Sequence, residues 1–153
     1  MNKVNKLIYF IISAIFFVIF DLYFSNLFVN SRINIADNKF LSLMNVQNTG
    51  AAFSLLENAP LLLILFAVLA IIIIIVYGVK NIEKFSLFAC FWTGMLIAGI
   101  GCNLYERLIF GYVRDYFNLE FIDFPIFNIS DILINVGVFA LIVIIIKNKY
   151  LKK

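Results

Sequence analysis

Two short segments place an aspartate at the edge of a long apolar run: Gly111-Tyr112-Val113-Arg114-Asp115 and Phe127-Asn128-Ile129-Ser130-Asp131. An acid in such a setting is costly unless it is used. A pair of close carboxylates has a specific chemistry. One takes a proton from water while the other, still protonated, polarises a scissile carbonyl, because two neighbouring acids do not ionise together. The chain contains no histidine. Serine–histidine–aspartate catalysis, histidine-assisted thiol catalysis and histidine metal sites are therefore excluded, and carboxylates are the groups left to move protons.

The elements that must position these acids are legible in the composition. The 153 residues are 64% hydrophobic and 14% charged, with mean hydropathy +1.04. A water-soluble domain of this size could not cover itself with polar groups. Four runs approach the roughly 20 residues needed to cross a bilayer as helices: Leu7–Phe28, Pro60–Val79, Phe85–Tyr105 and Ile129–Ile146. Lys3 and Lys6 before Leu7–Phe20 resemble the start of a signal peptide. No Ala-x-Ala site closes the run, which continues past Asp21, so an uncleaved helix is expected. The whole chain reads as a single membrane domain.

Charge orients the spans. Lys3, Lys6, Lys80, Lys84, Lys147, Lys149, Lys152 and Lys153 fall on one side of a four-span arrangement; only Arg32, Lys39, Arg107 and Arg114 fall on the other. The positive-inside rule then puts both termini in the cytoplasm. The basic balance thus orients the protein, and no basic stretch interleaves with stacking aromatics as nucleic-acid binding would require. Cys90 and Cys102 match neither a redox nor a zinc pattern and read as packing residues. Gly94, Ala98 and Gly101 would let another helix approach span three closely.

With that orientation the polar residues converge on one depth. Asp21 lies about 22 Å along span one from Lys6, at roughly 1.5 Å per residue. Span three ends outward at Asn103, Glu106 and Arg107, whose spacing puts them on one helix face. Span four begins near Asn128 and Asp131. Taken singly, each has a plain reading: Asp131 as a helix cap, Glu106 and Arg107 as a solvated helix end, Asp21 as a bond to a neighbouring span. The outer loops, about 29–59 and 106–128, are long enough to be functional. Phe40–Val46 alternates partly and suits a strand, and Asn118–Phe127 suits the membrane surface. The sixteen residues from Asp115 to Asp131 can return to one spot, although periodicity does not show that they do.

These patterns, over nearly the full length, resemble lipoprotein signal peptidase (signal peptidase II). The resemblance rests on Asp21 late in span one, Asn48-Thr49-Gly50-Ala51-Ala52-Phe53-Ser54, Asn103 through Glu106-Arg107, Gly111 through Asp115, and Phe127 through Asp131, in that order. It implies an all-α membrane fold of four helices with a small extracytoplasmic β-cradle and a surface helix. It also implies an aspartyl endopeptidase of the bacterial cytoplasmic membrane, active at the outer face. Such an enzyme removes signal peptides from prolipoproteins before a diacylglyceryl-modified cysteine. Asp115 and Asp131 match the catalytic pair; Asp21, Asn48, Gly50, Asn103, Glu106, Arg107 and Asn128 match supporting or substrate-holding positions. The expected partners are lipidated prolipoproteins and membrane lipid. No nucleic acid, metal or organic cofactor is implied, and a monomer is expected. Ser25, Gln47, Cys102, Glu106 and Ser130 depart from the family pattern, which usually has lysine at the place of Ser25; Ser25→Lys should then be tolerated. Two other readings stay open: a catalytically inactive homologue that binds lipoproteins, and a small cation or proton transporter. The latter is disfavoured because Asn135 is the main polar residue inward of Asp131.

Overall fold

The structure is a computed structural model and describes residues 2–30, 39–51, 55–57 and 59–150. Its element order is α1 (Lys3–Val29), β1 (Leu41–Asn48), α2 (Pro60–Asn81), a 3-10 turn (Ile82–Lys84), α3 (Leu87–Phe110), β2 (Val113–Leu119) and α4 (Ile129–Tyr150). Each helix starts where local chemistry allows. Asn2 accepts the Asn5 N–H at 2.9 Å, Pro60 opens α2, and Ser86 accepts the Ala89 N–H at 3.1 Å. α3 ends at Gly111, whose φ of 82° is the left-handed conformation that closes a helix and turns the chain into β2.

Four helices are long and apolar enough to cross a membrane, in agreement with the four expected spans. Half of the apolar window of α3 is buried, against 6% for α2, so α3 is the central helix and α2 leans on it from outside. Large apolar side chains such as Ile15, Leu61, Ile73 and Phe139 stay exposed on the outer helix faces, as lipid contact requires. Lys6 donates to the Glu83 carbonyl at 2.7 Å, which fixes the start of α1 beside the α2–α3 turn at the lysine-rich end.

Close approach supplies the packing, but not entirely through the expected residues. A Cβ on Gly94 would lie 2.8 Å from Phe10 O, and one on Gly99 would lie 2.7 Å from Ser130 O. Ala98 is buried. Gly101 is not part of this seam, since a Cβ there would meet no other segment within 4 Å among the described residues; the α3–α4 contact runs through Gly99 and Gly137 instead. Cys90 and Cys102 are free, buried thiols, as their packing role requires.

β1 and β2 form a two-stranded antiparallel sheet at the end of the bundle opposite the lysines. Leu43 faces Phe117, but Val46 faces Asp115, so β1 carries one extra residue between them. Such a bulge reverses which face the following residues present. Asn48 thereby shares a face with Asp115. Of the expected strand at Phe40–Val46, Leu41 onward forms the first part of β1 and Phe40 precedes it. Asn118 and Leu119 end β2, and the chain returns through turns and extended backbone to a bridge between Phe117 and Phe127. The only helix outside the four spans among the described residues is the 3-10 turn. The expected surface helix has no counterpart there, and residues 31–38, 52–54 and 58 lie outside the described set, as do Arg32, Phe53, Ser54, Lys152 and Lys153. The core of Phe17, Met95, Ala98, Tyr116, Phe117, Ile129 and Leu133 sits where this sheet meets α1, α3 and α4.

Candidate active site

The first turn of α4 is the hub. Asn128 precedes the helix, and its side-chain oxygen accepts the Asp131 N–H at 2.9 Å. Asp131 Oδ2 accepts the Asn128 N–H at 3.2 Å in return. This reciprocal pair is a capping box with an aspartate in the third helical position. The plain reading of Asp131 as a cap is therefore correct, but it occupies only one carboxylate oxygen. The other accepts from Asn103 Nδ2 at 2.8 Å.

Asn128 also reaches the second acid. Its amide nitrogen donates to Asp115 Oδ1 at 2.9 Å and to Asn103 Oδ1 at 3.1 Å. Asn48 Nδ2 donates to Asp115 Oδ2 at 2.8 Å from the neighbouring strand. Both acids thus hang on one asparagine, and the residues between them do return to one spot. Asp115 is 2% exposed. Burial raises its pKa to about 7; the Asn48 N–H opposes this, the nearby Asp131 charge reinforces it, and Asn128 and Arg107 oppose it.

Asp115, Asp131, Asn48, Asn103 and Arg107 line one cleft of about 1010 Å³. Phe124, Pro125, Ile126, Phe127, Ile132 and Val136 give it an apolar wall that continues down α4. Arg107 spans the cleft's support: Nη2 donates to Gly50 O at 2.7 Å and Nη1 to Asn103 O at 3.3 Å. Its Nε is buried and has no partner among the described residues. Gly50 N donates to Asn48 Oδ1 at 2.9 Å, which orients the Asn48 amide toward Asp115. Among the described residues, no group of three or more Cys, Asp and Glu is placed to hold a metal ion.

Three of the predicted residues act differently from their plain readings or stand behind the cleft. Glu106 is not a solvated helix end: it is buried, and its Oε2 accepts the Arg114 backbone N–H at 2.7 Å while Oε1 accepts Arg114 Nε at 2.9 Å. It therefore anchors the start of β2, one residue before Asp115. Asp21 does bond a neighbouring span, accepting from Ser130 Oγ at 2.8 Å behind the α4 cap. Ser25 is not an open position. It is 5% exposed and its Oγ lies 2.8 Å from the Tyr116 hydroxyl, which is the contact a Ser25→Lys change would replace. Asp123 lines the cleft as well, although it falls outside the sequence motifs. Sequence reasoning did not single out Arg114 and Tyr116 as partners; each flanks Asp115, which was the available signal.

A family description, Signal peptidase (SPase) II, matches residues 8–147. The chain belongs to the signal peptidase II family. It is 39% identical to a lipoprotein signal peptidase of Streptococcus thermophilus over 82% of this chain and 80% of that one. A lipoprotein signal peptidase of Enterococcus faecalis is 35% identical over 91% and 88%. A solved bacterial membrane enzyme superposes with TM-score 0.82 at 28% identity, covering 94% of this chain and 91% of the other. Membership makes the protein an aspartic-type peptidase of the signal peptidase II kind, a multi-pass bacterial membrane protein. In this member Ser130 donates to Asp21, Cys102 is buried in α3, and Glu106 holds Arg114.

Proposed function

We propose that this signal peptidase II cleaves diacylglyceryl-modified prolipoproteins immediately before the lipidated cysteine, with Asp115 and Asp131 as its catalytic pair. The observation that carries this reading is Asn128, whose side chain donates to the Asp115 carboxylate and whose backbone N–H donates to the Asp131 carboxylate, so that one residue ties both acids to one cleft. Asp115, with a pKa of about 7, holds a proton over much of the neutral range. Asp131 lies in the first turn of α4, where the helix dipole and two N–H donors support a negative group. Asp131 takes a proton from a water molecule, whose oxygen bonds to the scissile carbonyl carbon. Asp115 gives its proton to the carbonyl oxygen. The tetrahedral gem-diol then collapses: the C–N bond breaks, the leaving nitrogen takes the proton from Asp131, and a hydroxyl returns its proton to Asp115. Both acids end as they began.

Asn48, Gly50, Asn103, Arg107 and Asn128 support the pair or meet the substrate backbone, and Asp21 and Glu106 brace the elements that carry it. The apolar wall through Ile132 and Val136 suits a substrate that arrives laterally with its lipid still in the bilayer. Lys3, Lys6, Lys80, Lys84, Lys147 and Lys149 at the opposite end favour cytoplasmic termini and a cleft at the outer face of the cytoplasmic membrane.

The test is incubation of the purified protein with a lipidated precursor peptide and its unlipidated counterpart. Cleavage of the lipidated peptide before its cysteine, with the unlipidated one resistant, is expected. Binding of the lipidated peptide without cleavage would instead mark an inactive lipoprotein-binding homologue.

A further inference from the structure

The phenol of Tyr116 has a place that the reaction scheme above does not use. Tyr116 follows Asp115 on β2 and is 1% exposed. Its ring stacks on Phe28 of α1, with centroids 5.2 Å apart and planes at 24°. Its oxygen accepts the Ile129 N–H at 3.1 Å and lies 2.8 Å from Ser25 Oγ. The Ile129 N–H is one of the amides that a helix start leaves without an internal partner. A hydroxyl deep in an apolar core is thus committed to α1 on one side and to the first residue of α4 on the other. Ile129 lies two residues before Asp131. The same oxygen therefore links the strand that carries one acid to the turn that carries the other.

We propose that the Tyr116 hydroxyl, steadied by Ser25, is a positioning group that sets the separation of Asp115 and Asp131. The proposal rests on the dyad reading above. The backbone around it cannot do this alone. The Phe127 carbonyl accepts from Tyr116 N at 3.1 Å and Phe117 N at 2.8 Å, which closes the excursion on the Phe127 side of Asn128. Beyond Asn128, the Tyr116 hydroxyl is the β2 group that holds the helix backbone itself. Burial pushes the phenol's pKa up, so it keeps its proton for Ser25 across the working pH range. An offset of about 1 Å between reacting groups can cost up to roughly a hundredfold in rate.

The experiment compares Tyr116→Phe, Ser25→Ala, Ser25→Thr and Phe28→Leu on a lipidated precursor, with kcat, KM and melting temperature measured for each. Phe28→Leu disturbs the same ring contact without touching a hydrogen bond and serves as the packing control. Tyr116→Phe is expected to lose about ten- to a hundredfold in kcat with KM changed less than about threefold. Ser25→Ala should lose less, because the Ile129 bond survives, and Ser25→Thr should restore activity. Tyr116→Phe with kcat within about twofold of the parent, or with its loss confined to KM, would overturn the proposal. If Tyr116→Phe does not fold, equal kcat in Ser25→Ala and Ser25→Thr overturns it. Asp115→Asn assayed alongside separates the two ideas: its activity would sink the dyad reading, whatever Tyr116 does.

Discussion

Removing the Asn48 amide should move the pH dependence of cleavage in a direction fixed by the structure. Asn48 Nδ2 donates to Asp115 Oδ2 at 2.8 Å, and of the groups opposing the burial of the Asp115 charge it is the strongest. A hydrogen bond to a charged group contributes about 1.5–3 kcal/mol, and one pKa unit corresponds to about 1.36 kcal/mol. Its full loss would be worth roughly one to two units. Asn128 still donates to Asp115, and water from the cleft can fill part of the space, so about one unit is expected for Asn48→Ala. The sign follows from the role of Asp115. As the acid, it must be protonated, so kcat/KM falls as pH rises through its pKa of about 7. Destabilising the ionised form raises that pKa and moves the basic limb upward, to about 8. The assay is a pH profile of kcat/KM on a lipidated precursor for parent and variant. The absolute rate should fall as well, since Gly50 N loses its acceptor. A basic limb that stays in place or moves to lower pH would refute the assignment of Asp115 as the proton-bearing acid.

Glu106→Gln should lower kcat about tenfold and stability by about 1–3 kcal/mol, because an amide cannot accept all the Arg114 donors that Glu106 holds; kinetics and thermal melting check this together. Gly99→Ala should lose both stability and activity, since its Cβ would meet the Ser130 carbonyl at 2.7 Å, next to Asp131. Gly101→Ala, whose Cβ would meet no other segment within 4 Å among the described residues, should be nearly neutral in both, and similar losses in the two variants would mean that the α3–α4 contact is not what seats the cap.

Much of the architecture was legible because a bilayer leaves a chain few options. Uninterrupted apolar runs gave the four spans to within a few residues, and lysine placement set the end of the bundle where polar groups should gather. The order of the motifs pointed to the family before any geometry was available. What stayed hidden depended on register or on contacts between segments far apart in the chain. The extra residue between Leu43 and Val46 decides that Asn48 faces Asp115, and partial alternation over Phe40–Val46 carries no mark of it. Glu106 looked solvated because its partner, Arg114, lies beyond the Gly111 turn. Gly99 and Gly101 are equally small, and only the position of α4 tells which one is in contact. Asp131 was readable either as a cap or as a catalytic acid. Its two oxygens allow both, and an asparagine that serves the cap and the second acid together makes them one arrangement.

The central claim is that Asp115 and Asp131 work as one unit, and the most direct measurement is cleavage of a lipidated precursor by folded, purified Asp115→Asn, Asp131→Asn and the double variant. Each substitution keeps the side chain's size and removes a titratable group. Each single variant should lose at least about a hundredfold in rate, the low end for general acid–base catalysis. The double variant should be little worse than the worse single one, because a base without its acid is already inactive. Binding of the precursor should persist in all three. Near-normal turnover by either single variant would remove that aspartate from the mechanism and contradict the dyad.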